Sequence, residues 1–192
     1  MASGPLLLHC CCGPCATACV ERLSREGRPC RLFFSNSNIA TREEFELRLE
    51  QLRKVARHFG TGDVIVDDYR HDQWLSRVSA LPGFDGCPER GARCSLCFGF
   101  SIGRAAQAAA ALGMPFATSL TVSPHKSSAL LLQTGSAFGN YEHWDFKKKD
   151  GFLRSIQLSR QLELYRQSFC GCEFSRRDTE QREAQNGSKG NA

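Results

Sequence analysis

The chain has 192 residues, 41% of them hydrophobic and 23% charged, with a formal net charge of +5. That length and balance suit one globular domain with its own core, and they exclude a collagen-like, low-complexity or wholly disordered chain. The basic excess is compatible with a nucleic-acid partner but is also common in proteins that bind none.

Residues 5–9 read as a short buried strand, followed by a Gly13-Pro14 turn and a helix to about Glu26. Residues 31–34 read as a second strand. Thr41 and Glu44 have capping-box spacing, and Phe45, Leu49, Leu52, Val55 and Phe59 form an apolar stripe that Gly60 ends, so this segment is a strong helix. Residues 64–66 make a third strand. Residues 67–93 are irregular, with a short helix around Trp74 and turns over 82–91. An alanine-rich helix covers 94–112. A fourth strand spans 116–122, a helix 126–133, a strand 141–146 and a helix 155–168. Strands alternating with helices predict an α/β fold: a single domain with a parallel sheet flanked by helices, Rossmann-like or HUP-like. In such sheets ligands bind beyond the carboxyl ends of the strands, and residues 9–12 stand at one of these ends. The expected catalytic domain is 1–174. Residues 175–192 are polar and are expected to form a disordered tail.

Leu6, Leu7 and Leu8 are too short a run for a signal-peptide core, and no stretch approaches transmembrane length. A soluble, cytoplasmic protein is expected, with no membrane partner. Its eleven cysteines are then the anomaly. Structural disulfides are rare in a reducing cytosol, and an odd number cannot all pair within the chain. Metal binding or redox catalysis leads.

The first cysteine cluster is His9-Cys10-Cys11-Cys12-Gly13-Pro14-Cys15, joining a strand end to a helix start. Pro14 suits the first helical turn. The cysteines before it face the positive end of the helix dipole, which favours the thiolate that binds metals or attacks disulfides. A thioredoxin-like pair or buried structural cysteines are the blander readings. Cys19 faces the expected core, and Cys10 and Cys30 read as ordinary thiols. The second cluster is Cys94-Ser95-Leu96-Cys97, with Arg90 and Arg93 nearby as candidates to stabilise thiolates. Its distance from the first is too long for a zinc ribbon or finger, so the pairs must meet through the fold. Cys87 reads as incidental. The third cluster is Cys170-Gly171-Cys172, whose disulfide ring would be small, strained and easily reduced. Glycine supplies the freedom such closure needs; two further metal ligands are the other reading. A redox enzyme with a metal centre and a dithiol, and a metal-stabilised nucleic-acid-binding module, both fit. The reducible pair favours the enzyme.

The residues Leu7-Leu8-His9-Cys10-Cys11-Cys12-Gly13-Pro14-Cys15, Arg93-Cys94-Ser95-Leu96-Cys97-Phe98, Ser123-Pro124-His125-Lys126 and Tyr165-Arg166-Gln167-Ser168-Phe169-Cys170-Gly171-Cys172 occur in an order that resembles the QueH type of epoxyqueuosine reductase. The resemblance covers about 6–175. It implies reduction of epoxyqueuosine to queuosine at the tRNA wobble position, the last step of queuosine biosynthesis, without cobalamin. It implies a [4Fe-4S] cluster on Cys11, Cys12, Cys94 and Cys97, a redox-active pair at Cys170 and Cys172, and a second, mononuclear metal, an iron, near Cys15. The partners implied are tRNA carrying epoxyqueuosine in its anticodon loop and an external electron donor. Phe33-Phe34-Ser35-Asn36-Ser37-Asn38-Ile39 and residues 83–93 depart from the family pattern, which bears on substrate loops rather than on the cysteines.

Deoxygenating an epoxide takes two electrons and two protons. Asp85, Asp145, His125 and His9 are the candidate proton donors. Lys147-Lys148-Lys149, Lys126 and Arg166 are candidate phosphate contacts. Phe33, Phe34, Trp74 and Trp144 are candidate base-stacking rings, each better explained as core. A zinc-stabilised RNA-binding module remains an alternative. So does an ATP-pyrophosphatase-like tRNA sulfur-transfer enzyme, but the glycine-rich phosphate loop it needs after the first strand is replaced here by cysteines. A plain thiol–disulfide oxidoreductase is a further alternative.

Overall fold

The first strand, β1 (Leu6–Cys10), is buried along its whole length, which is why it reads as an unbroken apolar run rather than an alternating one. The computed structural model describes residues 4–189, with side chains to 185. After β1 come α1 (Gly13–Arg25), β2 (Cys30–Phe34), α2 (Arg42–Phe59) and β3 (Ile65–Val66). They are followed by α3 (His71–Ser79), α4 (Ala92–Ala111), β4 (Phe116–Thr118), α5 (Ser128–Ser136), α6 (Gly151–Gln161) and α7 (Glu173–Lys189). The strands form one parallel four-stranded sheet in the order β3-β2-β1-β4. The chain leaves β1 toward β2 and β3 and later returns on β1's other side as β4. The reversal lies between β1 and β4, where open α/β sheets place ligands.

Side-chain alternation sorts the sheet's two faces. Leu6, Leu8 and Cys10 of β1, with Leu32 and Phe34 of β2, pack on α1 and α2. Leu7 and Phe33 turn the other way, onto Phe98, Ile102, Ala105 and Ala109 of α4. A smaller cluster joins Trp74 and Val78 of α3 to Phe174 of α7, with Leu96 and Cys97 of α4 against it. Helix α2 begins as its sequence dictates: the Thr41 side chain accepts from the Glu44 N–H at 3.3 Å. It stops at Gly60, whose φ of 65° is left-handed. Helix α1 lies so close to α2 that a Cβ on Gly13 would stand 2.7 Å from the Gln51 backbone.

Several expectations change. The strand expected over 116–122 ends at Thr118 because its side chain accepts from the Leu120 N–H at 3.2 Å, turning Ser119–Val122 into a 3-10 helix. The segment 141–146 makes one isolated bridge, Tyr141 to Phe116, rather than a strand. The helix expected over 155–168 begins earlier and ends at Gln161, just before Glu163 at φ 49°. The disordered tail expected from Ser175 is instead helical to Lys189, and residues 190–192 lie outside the described part. Phe174, 5% exposed, seats α7 in the third cluster, and Arg177 and Arg182 reach back to Asp85 and Glu89. The polar composition that suggested disorder concealed this anchor. No helix among the described residues is long and apolar enough to cross a membrane.

Candidate metal and thiol site

The end of β1 runs directly into the start of α1, and this junction carries the first cysteines. Cys12 is the N-cap of α1: its backbone is extended and its sulfur accepts from the Cys15 N–H at 3.5 Å. Pro14 sits in the first turn as the sequence predicts. Cys15 lies one turn on, so strand end and helix start bring Cys11, Cys12 and Cys15 together, their sulfurs all within 4.8 Å of one another. Cys11 and Cys12 sulfurs are 3.8 Å apart. These three could hold a metal ion, and Cys94 and Cys97 stand outside this group.

The three thiols share protons unequally. Cys12 is held well below its ordinary value, chiefly by hydrogen bonds from Cys11 and Cys15, with the Gln167 side chain and the Cys15 N–H adding to them. Cys11 is pushed up to about 12, mainly because its proton is the one given to Cys12. Cys15 is raised for the same reason, against both neighbours. The geometry thus favours a first thiolate at Cys12. Ser119, from across the chain reversal, bonds to Cys11 through its Oγ, which accepts the Cys11 N–H at 3.4 Å and donates to the sulfur at 3.9 Å. Nothing in the sequence pattern marks Ser119, which falls inside the strand expected over 116–122.

Cys94 and Cys97 lie in the first turns of α4. Cys94 accepts the Arg90 N–H at 3.2 Å, and Arg90 takes a left-handed φ of 72° to deliver it. Cys170 and Cys172 follow α6 and lead into α7. The Cys172 sulfur accepts the Ser175 N–H at 3.5 Å, as Cys12 does for α1. These four cysteines line one cleft of about 130 Å³, together with Trp74 and Lys126. Burial pushes the Cys97 and Cys94 thiols up, and Cys172 to about 12. Lys126 connects the two groups. Burial works against its charge, but Cys170, Cys11, Cys15 and Cys12 outweigh that and hold the ammonium above its ordinary value.

The Cys-Gly-Cys loop is held from behind by Arg48, 2% exposed. Its guanidinium donates to the Cys170 carbonyl at 2.8 Å and the Phe169 carbonyl at 3.4 Å, while Glu44 takes its Nε at 2.6 Å. Gly171 has φ 134°, and a Cβ there would meet Ile39 at 3.1 Å and Arg48 at 3.2 Å. Glycine is therefore required by both torsion and space. Arg48 was not legible as a site residue, because at its position in α2 it reads as a solvated helical charge.

The structure sorts the remaining candidates. His9 is sealed between the Thr118 hydroxyl at 2.9 Å and the Ser35 carbonyl at 3.1 Å, and burial lowers its affinity for a proton. Asp145 ties Ser128 to the Lys147 backbone, and Asp85 pairs with Arg177. His125 lines the cleft, with Arg90 at 3.0 Å. Arg93 is committed to the Phe84 carbonyl at 2.6 Å and to the Phe174 ring at 4.1 Å, so its first duty is to hold the α4 start. Cys87 likewise accepts the Arg93 N–H at 3.5 Å. Cys10 and Cys19 are core, and Cys30 is partly buried at the core's edge. Lys147 donates to the Lys126 carbonyl and Lys149 pairs with Glu26; Arg166 lies over Phe152. Phe33, Phe34 and Trp74 are buried, and Trp144 stacks on Phe146.

A parallel α/β sheet whose reversal point carries clustered thiols beside a cleft defines an α/β protein with a thiol-rich site able to hold a metal. The family model for epoxyqueuosine reductase QueH matches residues 6–178, and the chain belongs to that family. Similar relatives share the name "Epoxyqueuosine reductase QueH". The one from Streptococcus pyogenes serotype M1 is 33% identical over 88% of this chain and 69% of its own length. Those from Acinetobacter baylyi and Thermotoga maritima are 34% and 30% identical, over 91% and 90% of this chain and 81% and 90% of theirs.

Proposed function

We propose that this chain reduces epoxyqueuosine to queuosine in tRNA, the last step of queuosine biosynthesis. The observation that carries this reading is the convergence of Cys94, Cys97, Cys170 and Cys172 on one cleft, with the Lys126 ammonium between them and the Cys11, Cys12 and Cys15 group. In this reading Cys11, Cys12, Cys94 and Cys97 hold a [4Fe-4S] cluster, and Cys15 contributes to a further metal.

The residues fit such a group on two grounds. Thiolates are the ligands iron–sulfur centres take. The cleft wall also contains a buried donor with no partner among the described residues, the Trp74 Nε1–H, in the cluster against which Cys97 packs. When bound, the cluster supplies one-electron transfer and a Lewis-acidic metal surface. The chain's own residues supply the rest. Oxidation of the Cys170–Cys172 dithiol to a disulfide releases two electrons and two protons. Deoxygenation of the epoxide consumes both, breaking its two C–O bonds, forming the C=C bond and releasing water. An external electron donor of the dithiol or one-electron carrier class then restores the pair. Arg48 and Ser175 fix the Cys-Gly-Cys backbone. Lys126 balances negative charge at the thiolates, and His125 is positioned to carry a proton at the cleft's edge. The anticodon loop suits this task because its bases are unstacked and reachable.

The deciding experiment measures iron, acid-labile sulfide and zinc per chain on protein purified without oxygen, with Cys11→Ser in parallel, followed by assay on epoxyqueuosine tRNA. About four irons and four sulfides, lost in the variant, together with turnover are expected. About one zinc without sulfide would overturn the reading in favour of a zinc-stabilised RNA-binding module.

A further inference from the structure

Trp74 belongs to α3, an element that carries none of the cysteines, yet its ring reaches the cysteine cleft. The side chain is 1% exposed. His71 stacks against it at 5.4 Å, and Phe174 packs on it at 6.4 Å. Apolar packing alone needs a ring of this size and shape but no polar atom. The indole adds one polar feature, its N–H, and this group is buried without a hydrogen-bond acceptor among the described residues. A buried donor left unpaired is costly and calls for an explanation. Here Cys97 packs against the cluster built on Trp74, and the ring lines the cleft that holds both Cys97 and Cys94.

We propose that Trp74 is a positioning residue for the metal centre, its indole N–H donating into the sulfur shell built on Cys97. The inference rests on the iron–sulfur reading of the preceding section. A hydrogen bond to a cluster sulfur draws electron density from the centre and stabilises its reduced, more negative form, raising the reduction potential. The ring also closes one wall of the cleft and links the centre to α7 through Phe174, two residues beyond Cys172.

The test is an anaerobic spectroelectrochemical titration of cluster-loaded protein: wild type, Trp74→Phe, and a form in which benzothienylalanine replaces Trp74. The last keeps the ring's size and shape and exchanges the N–H for sulfur, so it isolates the donor even if Trp74→Phe folds poorly. Expected is unchanged iron and sulfide content with a more negative midpoint potential in the isostere. A midpoint equal to wild type, with the cluster present, overturns the role of Trp74 and leaves the reductase reading standing. Wild-type protein that takes up no iron and sulfide overturns both.

Discussion

At the scale of single residues, the site divides into sulfur atoms and the groups that manage their charge. Cys12 is favoured as thiolate because thiols and an N–H converge on it, whereas Cys97 and Cys172 sit where burial opposes ionisation. Replacing Cys170 by Ser should abolish turnover on epoxyqueuosine tRNA while iron and sulfide per chain stay at the wild-type level; assay and metal analysis on one preparation decide it. The cysteine motifs were legible because spacing along a chain is a local property. The supports were not: Ser119, Arg48 and Trp74 arrive from distant elements, and each has an ordinary identity in its own segment.

At the scale of elements, α3, α4 and α7 meet around Trp74, Leu96 and Phe174, beside the cleft that Trp74 lines. Helix α7 is attached by one buried ring and by exposed ion pairs, and the two kinds of contact differ in weight. Phe174→Ala should cost roughly 3 kcal/mol of stability, and Arg177→Ala should cost less than about 1 kcal/mol, because both partners of its pair are well exposed. Urea unfolding midpoints compare them. Asp67, just past β3, accepts from Arg104 of α4 and from the Ser35 hydroxyl at 2.6 Å. Burial opposes its charge, but the Arg104 and Ser35 bonds prevail and lower its proton affinity in the folded state. The unfolded carboxyl therefore binds its proton first as pH falls. The stabilisation is complete above the unfolded value of about 3.9 and is lost as pH drops through the lower folded value. Asp67→Asn should be less stable by roughly 2 kcal/mol at pH 7, and the gap should narrow below about pH 4, which denaturation from pH 7 to pH 2 would measure. Long elements with strong periodicity, α2 and α4 above all, were legible, α2 with both its caps. Strand β4 and helix α6 were read too long, because Thr118 and Glu163 end them through local hydrogen bonding and backbone turn that no apolar pattern records.

At the scale of the molecule, the formal charge of +5 belongs to a surface on which many of the described cations are held in ion pairs, Arg22, Arg28, Arg104 and Arg154 among them. Two of the three lysines in 147–149 already serve the fold. Affinity for tRNA should still fall steeply with added salt, since phosphate contacts release counterions; filter binding across a salt series would measure it, and a flat response would count against an RNA substrate. The parallel sheet and its position for a ligand were legible from the alternation of strands and helices. The reversal between β1 and β4 that places the thiols was not, because strand order depends on which distant strand pairs with β1.

Cys12 and Cys172 each serve twice, as a sulfur in the site and as the acceptor that starts a helix. Whatever claims a lone pair on these sulfurs competes with, or locks, the amides of Cys15 and Ser175. Under the proposed function, occupancy and redox state of the centre would be coupled to fraying at the first turns of α1 and α7. Amide hydrogen exchange at those two positions becomes a clock for the state of the site, one that reports through the protein's own backbone without iron chemistry, colour or substrate.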